Sequence, residues 1–488
     1  MRRIQAIATW DHRRTGFYDK SRRSRPRGTH LTEEPEFGTS GLRGLADALT
    51  DDLVARYAAA FTRSFGNNGT VYLGQDKRAS SPRIAAAVAR GIASEGCLAV
   101  DCGVLPTPAL AMAAMGQGTS SIMVTGSHIP ADRNGLKFYR ADGEIDKEDE
   151  ARLTAAVADM PPPGPGPAST LQGDAAQLYV GRYRDFFGKR ALSGLRIGFW
   201  AHSSAAADVL PAVLDAMGAE TVVLGKSAEF VSVDTEAIDQ SVRARLADWA
   251  RTHMLDALVS TDGDADRPLF ADAEGVVIPG DVLGPITARL LEATHVVTTV
   301  SANTMVERMD AFDHVARTRI GSPYVIAEMA RHAGKRVVGY EPNGGFLLGF
   351  EAASGKSRLS PLMTRDSLLP IVAALVASQA AGGTAKLIKA LPRRRTATDR
   401  IKDVPREIGR GMAEALIAGD MSILPDGLGD LVATDTTDGA RLTFAGGEIV
   451  TVRPSGNAPE LRVYVEADSG KTARYLLDEV FEKIRARL

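Results

Sequence analysis

Three aspartates alternate within five residues in the stretch Asp262-Gly263-Asp264-Ala265-Asp266-Arg267. A glycine lets such a backbone bend, so the three carboxylates can turn toward one hard cation. An all-oxygen donor set suits Mg2+ or Mn2+ better than Zn2+, and it leaves a coordination position for a phosphoryl oxygen. The glycine and closing glutamate of an EF-hand are missing at the required spacings, which excludes that calcium loop. A solvated acidic turn is the plain alternative. A second candidate is Thr125-Gly126-Ser127-His128-Ile129-Pro130, followed by Asn134-Gly135-Leu136-Lys137. A serine hydroxyl is a weak nucleophile and needs a base or an electrophile close by. His128 and Lys137 are the candidates, Lys137 lying beyond what reads as an Asn-Gly turn. Lys137 can equally serve to neutralise a phosphate.

Two further loops hold polar groups on glycine-rich backbone. Glu341-Pro342-Asn343-Gly344-Gly345 offers a carboxylate and an amide suited to neighbouring sugar hydroxyls. Arg453-Pro454-Ser455-Gly456-Asn457, with Arg462 beyond it, offers a guanidinium, a hydroxyl and exposed N–H groups as a phosphate cradle. Near the start, Phe37-Gly38-Thr39-Ser40-Gly41-Leu42-Arg43-Gly44 pairs a close-approach backbone with the Arg43 fork. Lys77 and Arg78 add two cations beside the first unit.

These loops sit at the ends of expected strands, where open α/β sheets place ligands. The pattern predicts strands at Val71–Asp76, Cys97–Cys102 and Ser121–Thr125, with helices at Ser81–Gly96 and Pro108–Met115. Met160–Pro167 (MPPPGPGP) reads as an interdomain linker, since proline at that density breaks helix and central strand alike. Strand–helix alternation resumes with Leu195–Ala201, a helix over Ser204–Gly218, Glu220–Leu224, a helix over Ser241–Leu255, and Ala257–Ser260. A third unit follows with strands at His295–Val300 and Arg336–Tyr340. The end differs: a helix over Pro405–Ile417, β alternation through Ala440–Val452, a strand at Leu461–Ala467 and a last helix over Lys471–Arg487.

At 488 residues the chain needs several cores. Its 44% apolar content and net charge of −2 give no global pull toward nucleic acid or an anionic membrane. No apolar run has the length of a membrane span. Cys97 and Cys102 cannot form a disulfide framework and read as two core thiols in a reducing, cytoplasmic compartment. The first thirty residues carry nine Arg or Lys against two acids, Asp11 and Asp19, with no apolar region behind them. Residues 1–34 read as a disordered basic extension rather than a secretory signal.

In this order the five loops resemble the α-D-phosphohexomutase family. Phe37–Gly44 is similar to its FGTSGxRG opening, Thr125–Pro130 with Lys137 to its TGSHxP…NGxK phosphoserine loop, and Asp262–Arg267 to its DGDxDR metal loop. Tyr340–Gly345 stands at its GExSG sugar loop, and Arg453–Glu460 is similar to its RPSGTxP phosphate loop. The sequence departs from the pattern at Ile129, Asn343, Gly345, Asn457 and Ala458, and Thr318–Tyr324 lacks the usual His or Lys. The resemblance implies three doubly wound mixed-sheet α/β domains (35–170, 171–274 and 275–390) and a smaller α+β domain (391–488) around a central cleft. It implies a phosphohexose mutase in which Ser127 carries the phosphoryl group and one Mg2+ per chain sits on Ser127, Asp262, Asp264 and Asp266. Lys137, Arg43, Arg267 and His128 would be catalytic. Glu341, Asn343, Gly344, Arg453, Ser455, Gly456, Asn457 and Arg462 would bind substrate. Phosphomannomutase is the favoured activity, working as monomer or homodimer with a hexose 1,6-bisphosphate activator. Glucose or glucosamine phosphate mutase, a phosphosugar phosphatase and an inactive phosphosugar-binding protein are the alternatives.

Overall fold

The computed structural model describes residues 34–38, 41–164, 170–455 and 459–488. The basic extension, Thr39, Ser40, the end of the proline run, Gly456, Asn457 and Ala458 lie outside the described residues.

Thr70–Gln75 is the axis of the first sheet, paired in parallel with Leu98–Val104 and Ser120–Val124. Antiparallel strands Arg133–Arg140 and Leu42–Leu45 extend it. Helices Asp51–Phe65 and Ser81–Ser94 bury apolar faces against it, and Val54, Phe61, Ile84 and Val88 share one core with Val71 and Ile122. Thr50 starts the first helix by accepting from the Leu53 amide through its hydroxyl (3.3 Å), with Asp51 and Asp52 favourably placed in the first turn.

The next two sheets repeat one plan. Three parallel strands, Glu220–Lys226, Arg196–His202 and Ala257–Thr261, are closed by antiparallel Pro268–Asp272 and Val277–Ile278. Likewise His314–Thr318, His295–Thr299 and Val337–Tyr340 run parallel, followed by antiparallel Phe346–Leu348 and Leu362–Asp366. The last sheet is antiparallel throughout, built from Leu431–Asp435, Ala440–Phe444, Ile449–Pro454, Glu460–Ala467 and Arg395–Lys402. Helices Arg406–Ile417 and Gly470–Arg485 cover it. The expected class, three mixed α/β units and an α+β end, is what the chain adopts.

One apolar cluster runs through the first three units, from Leu105 to Leu391. The last unit keeps its own, from Val404 to Ile484. Its bond to the third unit is polar. Thr304 donates to Glu466 and Asn303 Nδ2 donates to Thr396 Oγ1 at 2.9 Å, while Arg394, within the last unit, donates to the same Glu466 at 2.5 Å.

Several expectations are corrected. Asn134 and Gly135 form no turn; they lie inside the strand Arg133–Arg140. A Cβ on Gly135 would stand 2.2 Å from the Leu42 carbonyl oxygen, so the glycine permits strand contact rather than reversal. The proline run does not separate two sheets, because Thr170–Gln172 beyond it returns to pair with Leu98–Val104. Cys97 and Cys102 are half-buried instead of core. The helix expected from Ser204 begins at Val209, because the Ser204 hydroxyl bonds Thr261 Oγ1 and accepts from the Ala206 amide.

Candidate active site

Ser127 follows the buried strand Ser120–Val124, and Asp262 follows the buried strand Ala257–Thr261. Ser127 Oγ donates to Asp262 Oδ2 at 2.8 Å, so residues 135 apart in sequence meet at two strand ends. Ser127 holds a left-handed φ of +52°, a conformation that costs a non-glycine residue about 1–3 kcal/mol. The neighbours enforce it. The Ser127 amide donates to Thr125 Oγ1 (2.8 Å), and Arg78 Nη2 donates to the Ser127 carbonyl (2.9 Å). Gly263 makes the loop contact possible, since a Cβ there would lie 2.8 Å from that same carbonyl oxygen.

The sequence presents Arg78 as a cation beside the first unit. It is instead fully buried and spends four N–H donors on carbonyls of the serine loop and the fifth on Asp76. Nε bonds Asp76 Oδ2 (3.1 Å); Nη1 bonds the carbonyls of Pro130 (2.5 Å) and Arg133 (2.9 Å); Nη2 bonds those of Ser127 and Ile129 (2.7 Å). Asp76 in turn accepts from Ser81 Oγ and Thr125 Oγ1. Burial raises the Asp76 carboxyl and Arg78 opposes that rise. Phe230 lies over the Arg78 guanidinium at 3.9 Å.

The carboxylates of Asp262, Asp264 and Asp266 are buried, with one oxygen of each within 4.8 Å of the others. Lys137 Nζ donates to Asp264 Oδ2 (2.6 Å) and Asp266 Oδ2 (2.5 Å). Thr107 Oγ1 donates to Asp264 Oδ2 (2.7 Å) and Arg365 Nη2 to Asp266 Oδ2 (2.7 Å). Arg267 Nε lies 3.8 Å from Asp266 Oδ1. Burial and the two neighbouring carboxylates push Asp262 well above the usual range. Burial would raise Asp266 too, but Arg365, Lys137 and Arg267 outweigh it and hold Asp266 low. Arg43 is lowered to about 10 by burial and by Arg267 and Arg365. His128 Nδ1 lies 3.4 Å from Ser127 Oγ, and burial with Arg267 and Arg43 keeps its ring neutral.

A divalent cation fits this donor set. Asp264 Oδ1 and Asp266 Oδ1 are buried without a hydrogen-bond partner. Two acceptor oxygens left free beside a third carboxylate are what a hard cation takes up.

Glu341 follows the strand Val337–Tyr340 and is buried, 3.5 Å from Arg365 Nη1. Arg365 therefore joins the aspartate loop to the sugar-type loop. Asn343 Oδ1 is taken by the Gly345 amide (2.9 Å), and its carbonyl accepts from Thr235 Oγ1 (2.9 Å). Gly344 completes the turn at φ +90°. Ser455 is buried, its amide donating to the Glu460 carbonyl (2.7 Å). Arg453 Nη2 lies 3.3 Å from Asp438, and Arg462 lies 3.5 Å from Glu460 and 4.0 Å from Glu236. In the stretch without the expected cation, Arg319 Nε donates to the Thr437 carbonyl and the Ile320 amide to Asp438.

Sequence reasoning passed over Arg365, Thr107 and Glu236. Glu236 stands within electrostatic reach of Arg462, Arg267 and Glu341, and burial raises its carboxyl. The one signal for Arg365 is an Arg-Asp pair ending the short strand Leu362–Asp366, with Tyr179 and Tyr183 both donating to that Asp366.

A serine hydroxyl, a carboxylate triad and convergent guanidinium groups at strand ends of a multi-unit α/β chain define a phosphoryl-transfer enzyme. Models of the phosphoglucomutase/phosphomannomutase α/β/α domains I, II and III match residues 34–161, 179–275 and 279–394, and the C-terminal domain matches 385–483. A phosphomannomutase of Sinorhizobium fredii is 45% identical over 91% of this chain and 97% of its own length. One from Salmonella muenchen is 40% identical over 93% and 96%. A crystal structure from Thermus thermophilus superposes with a TM-score of 0.74 at 25% identity, covering 93% of this chain and 100% of that one. The chain belongs to the phosphoglucomutase/phosphomannomutase family and is a phosphohexose mutase.

Proposed function

We propose that the chain interconverts mannose 6-phosphate and mannose 1-phosphate, with Ser127 as the phosphoryl carrier. The observation that carries this is the Ser127 hydroxyl held at 2.8 Å from Asp262, in a strained turn that its neighbours over-determine. The phosphoryl leaves Ser127 Oγ as its P–O bond breaks and a new P–O bond forms to a sugar hydroxyl. That hydroxyl gives up its proton, and Ser127 Oγ ends protonated. His128, its Nδ1 3.4 Å from Ser127 Oγ, stands where it would relay that proton. Lys137, tied to two carboxylates, serves as a charge partner rather than a base. Arg43 and Arg267 face the transferring group. Asp262, Asp264 and Asp266 would hold one Mg2+, which when bound offsets charge on the phosphoryl oxygens.

The bisphosphorylated sugar must then turn round, so both ends need the same two sites. Arg453, Ser455, Gly456, Asn457 and Arg462 would hold the phosphate that is not reacting; Glu341, Asn343 and Gly344 would meet the ring hydroxyls. The separate core of the last unit and its polar bond to the third suit a cleft that opens for this turn. A hexose 1,6-bisphosphate would act as activator, replenishing phospho-Ser127. Hexose phosphates are charged and confined by membranes, which supports work in the cytoplasm, and the chain would act as monomer or homodimer.

The mannose preference is supported by the names of the two relatives at 45% and 40% identity. Rates with mannose, glucose and glucosamine 1-phosphates, each with a trace of bisphosphate, test it. The highest kcat/KM is expected for mannose 1-phosphate; a tenfold preference for either other sugar overturns the reading.

A further inference from the structure

Three of the chain's eight histidines meet far from the site described above. His295 and His314 begin adjacent parallel strands and are register partners, so their side chains lie on one face. His332 caps the helix Ser322–Arg331 and reaches the same spot. The ring centroids are 5.7 Å (His295–His314), 5.3 Å (His295–His332) and 4.9 Å (His314–His332) apart. This is the amino end of the third sheet. Glu341 follows the opposite end of the same sheet.

We propose that His295, His314, His332 and Glu328 form a tetrahedral binding site for a zinc-class divalent transition metal. Metal–nitrogen bonds of about 2.0 Å place tetrahedral imidazole centroids roughly 5 Å apart and adjacent ligand atoms roughly 3.3 Å apart. The three centroid distances bracket the first value. His332 Nε2 and Glu328 Oε1 stand 3.3 Å apart, which matches the second. They are not hydrogen-bonded, for His332 Nε2 is buried without a hydrogen-bond partner. The three rings thus stand at about the centroid spacing of ligands, beside a carboxylate and an orphaned ring nitrogen.

The surroundings favour the ligating form. The His295 Nδ1 hydrogen-bonds Thr294 Oγ1 at 3.0 Å, which leaves Nε2 for the metal and fixes the ring. Two adjustments are needed. Among the described residues only the aspartate triad has three ligand atoms mutually within 4.8 Å, so at least two of these four side chains must turn. His314, exposed on the edge strand, and the half-buried Glu328 can do so at little cost. A bound ion would pin the edge strand His314–Thr318 to the strand beside it and to the helix end. The site takes nitrogen-preferring metals, whereas the all-oxygen triad takes Mg2+.

The test is a Co2+ titration of the chelator-treated full chain with millimolar Mg2+ present. One equivalent of Co2+ should develop the intense visible absorption of tetrahedral coordination, and Zn2+ should abolish it and raise Tm. His314→Gln, an exposed change that leaves the fold intact, should weaken binding at least about 100-fold and remove the Tm shift. His295→Gln should do the same, while Asp264→Asn should retain the full signal. Absence of a saturable band at one equivalent overturns the proposal. So does a band that survives both histidine variants, or one that is lost with Asp264→Asn.

Discussion

Replacing Arg78 with lysine keeps the charge and should still cripple the enzyme. The guanidinium places five donors on five acceptors: one aspartate and the carbonyls of Ser127, Ile129, Pro130 and Arg133. An ammonium has three donors on one nitrogen and cannot reach around the loop. At least two carbonyls then lose their partner, at about 1–3 kcal/mol each when buried. Ile129, Pro130 and Arg133 keep some access to water, so about 2–4 kcal/mol in total is the reasonable range. That loss competes directly with the about 1–3 kcal/mol needed to hold Ser127 left-handed. A loop weakened by about 3 kcal/mol spends most of its time away from the reactive geometry, and kcat should fall roughly 100-fold. Arg78 is fully buried and cannot touch the sugar, so KM should barely move. Steady-state kinetics and amide exchange over 125–133 read the two halves of the effect. If Arg78→Lys keeps kcat within twofold and exchange unchanged, the clamp is not what shapes the serine loop.

Arg365→Met should strand Glu341 and weaken the hold on Asp266, costing about 3–5 kcal/mol in a buried pair, visible as a lower Tm and a large drop in kcat/KM. An unchanged Tm would show that the two loops are not joined through this residue. Asp264→Asn should raise the Mg2+ concentration for half-maximal activity at least tenfold, as the orphaned Asp264 Oδ1 suggests; an unaltered Mg2+ titration would remove Asp264 from the cation site. Burial raises Asp281 to about 7, against about 4 when unfolded. The native state therefore binds the extra proton between those values, and stability falls as pH rises from about 4 to 7. Roughly three pH units give on the order of 4 kcal/mol as an upper bound. Asp281→Asn should flatten this slope in urea unfolding; a variant that tracks the wild type from pH 5 to 8 would refute the assignment.

Features carried by a short run of sequence were legible. Asp262, Asp264 and Asp266 end an apolar strand, and a strand end is where such a cluster reaches a ligand. Ser127, likewise past an apolar strand, is a modest signal alone; the ordered set of loops singles it out. What failed depends on long-range packing. Asn134-Gly135 carries the usual signal of a hairpin turn, but Asn134 Nδ2 bonds Ser80 and Ser81 while Gly135 lies against Leu42, so pairing with a remote strand overrides it. Asp76 and Arg78, two residues apart in a polar stretch, give no sign that both are sealed inside. Arg365 meets Asp266 across 99 positions of chain, and no local pattern announces that contact. The proline run misled because proline density marks a break in regular structure without saying whether the chain then returns to the same sheet, as it does at Thr170–Gln172.

The central claim is that Ser127 carries the phosphoryl group. The most direct measurement is intact-mass analysis of the chain after incubation with a hexose 1,6-bisphosphate, followed by addition of excess hexose monophosphate. A species heavier by about 80 Da should form, map to Ser127, fall when the monophosphate is added, and be absent from Ser127→Ala. A phosphorylated species that persists in Ser127→Ala, or turnover by that variant at the wild-type rate, would contradict the account.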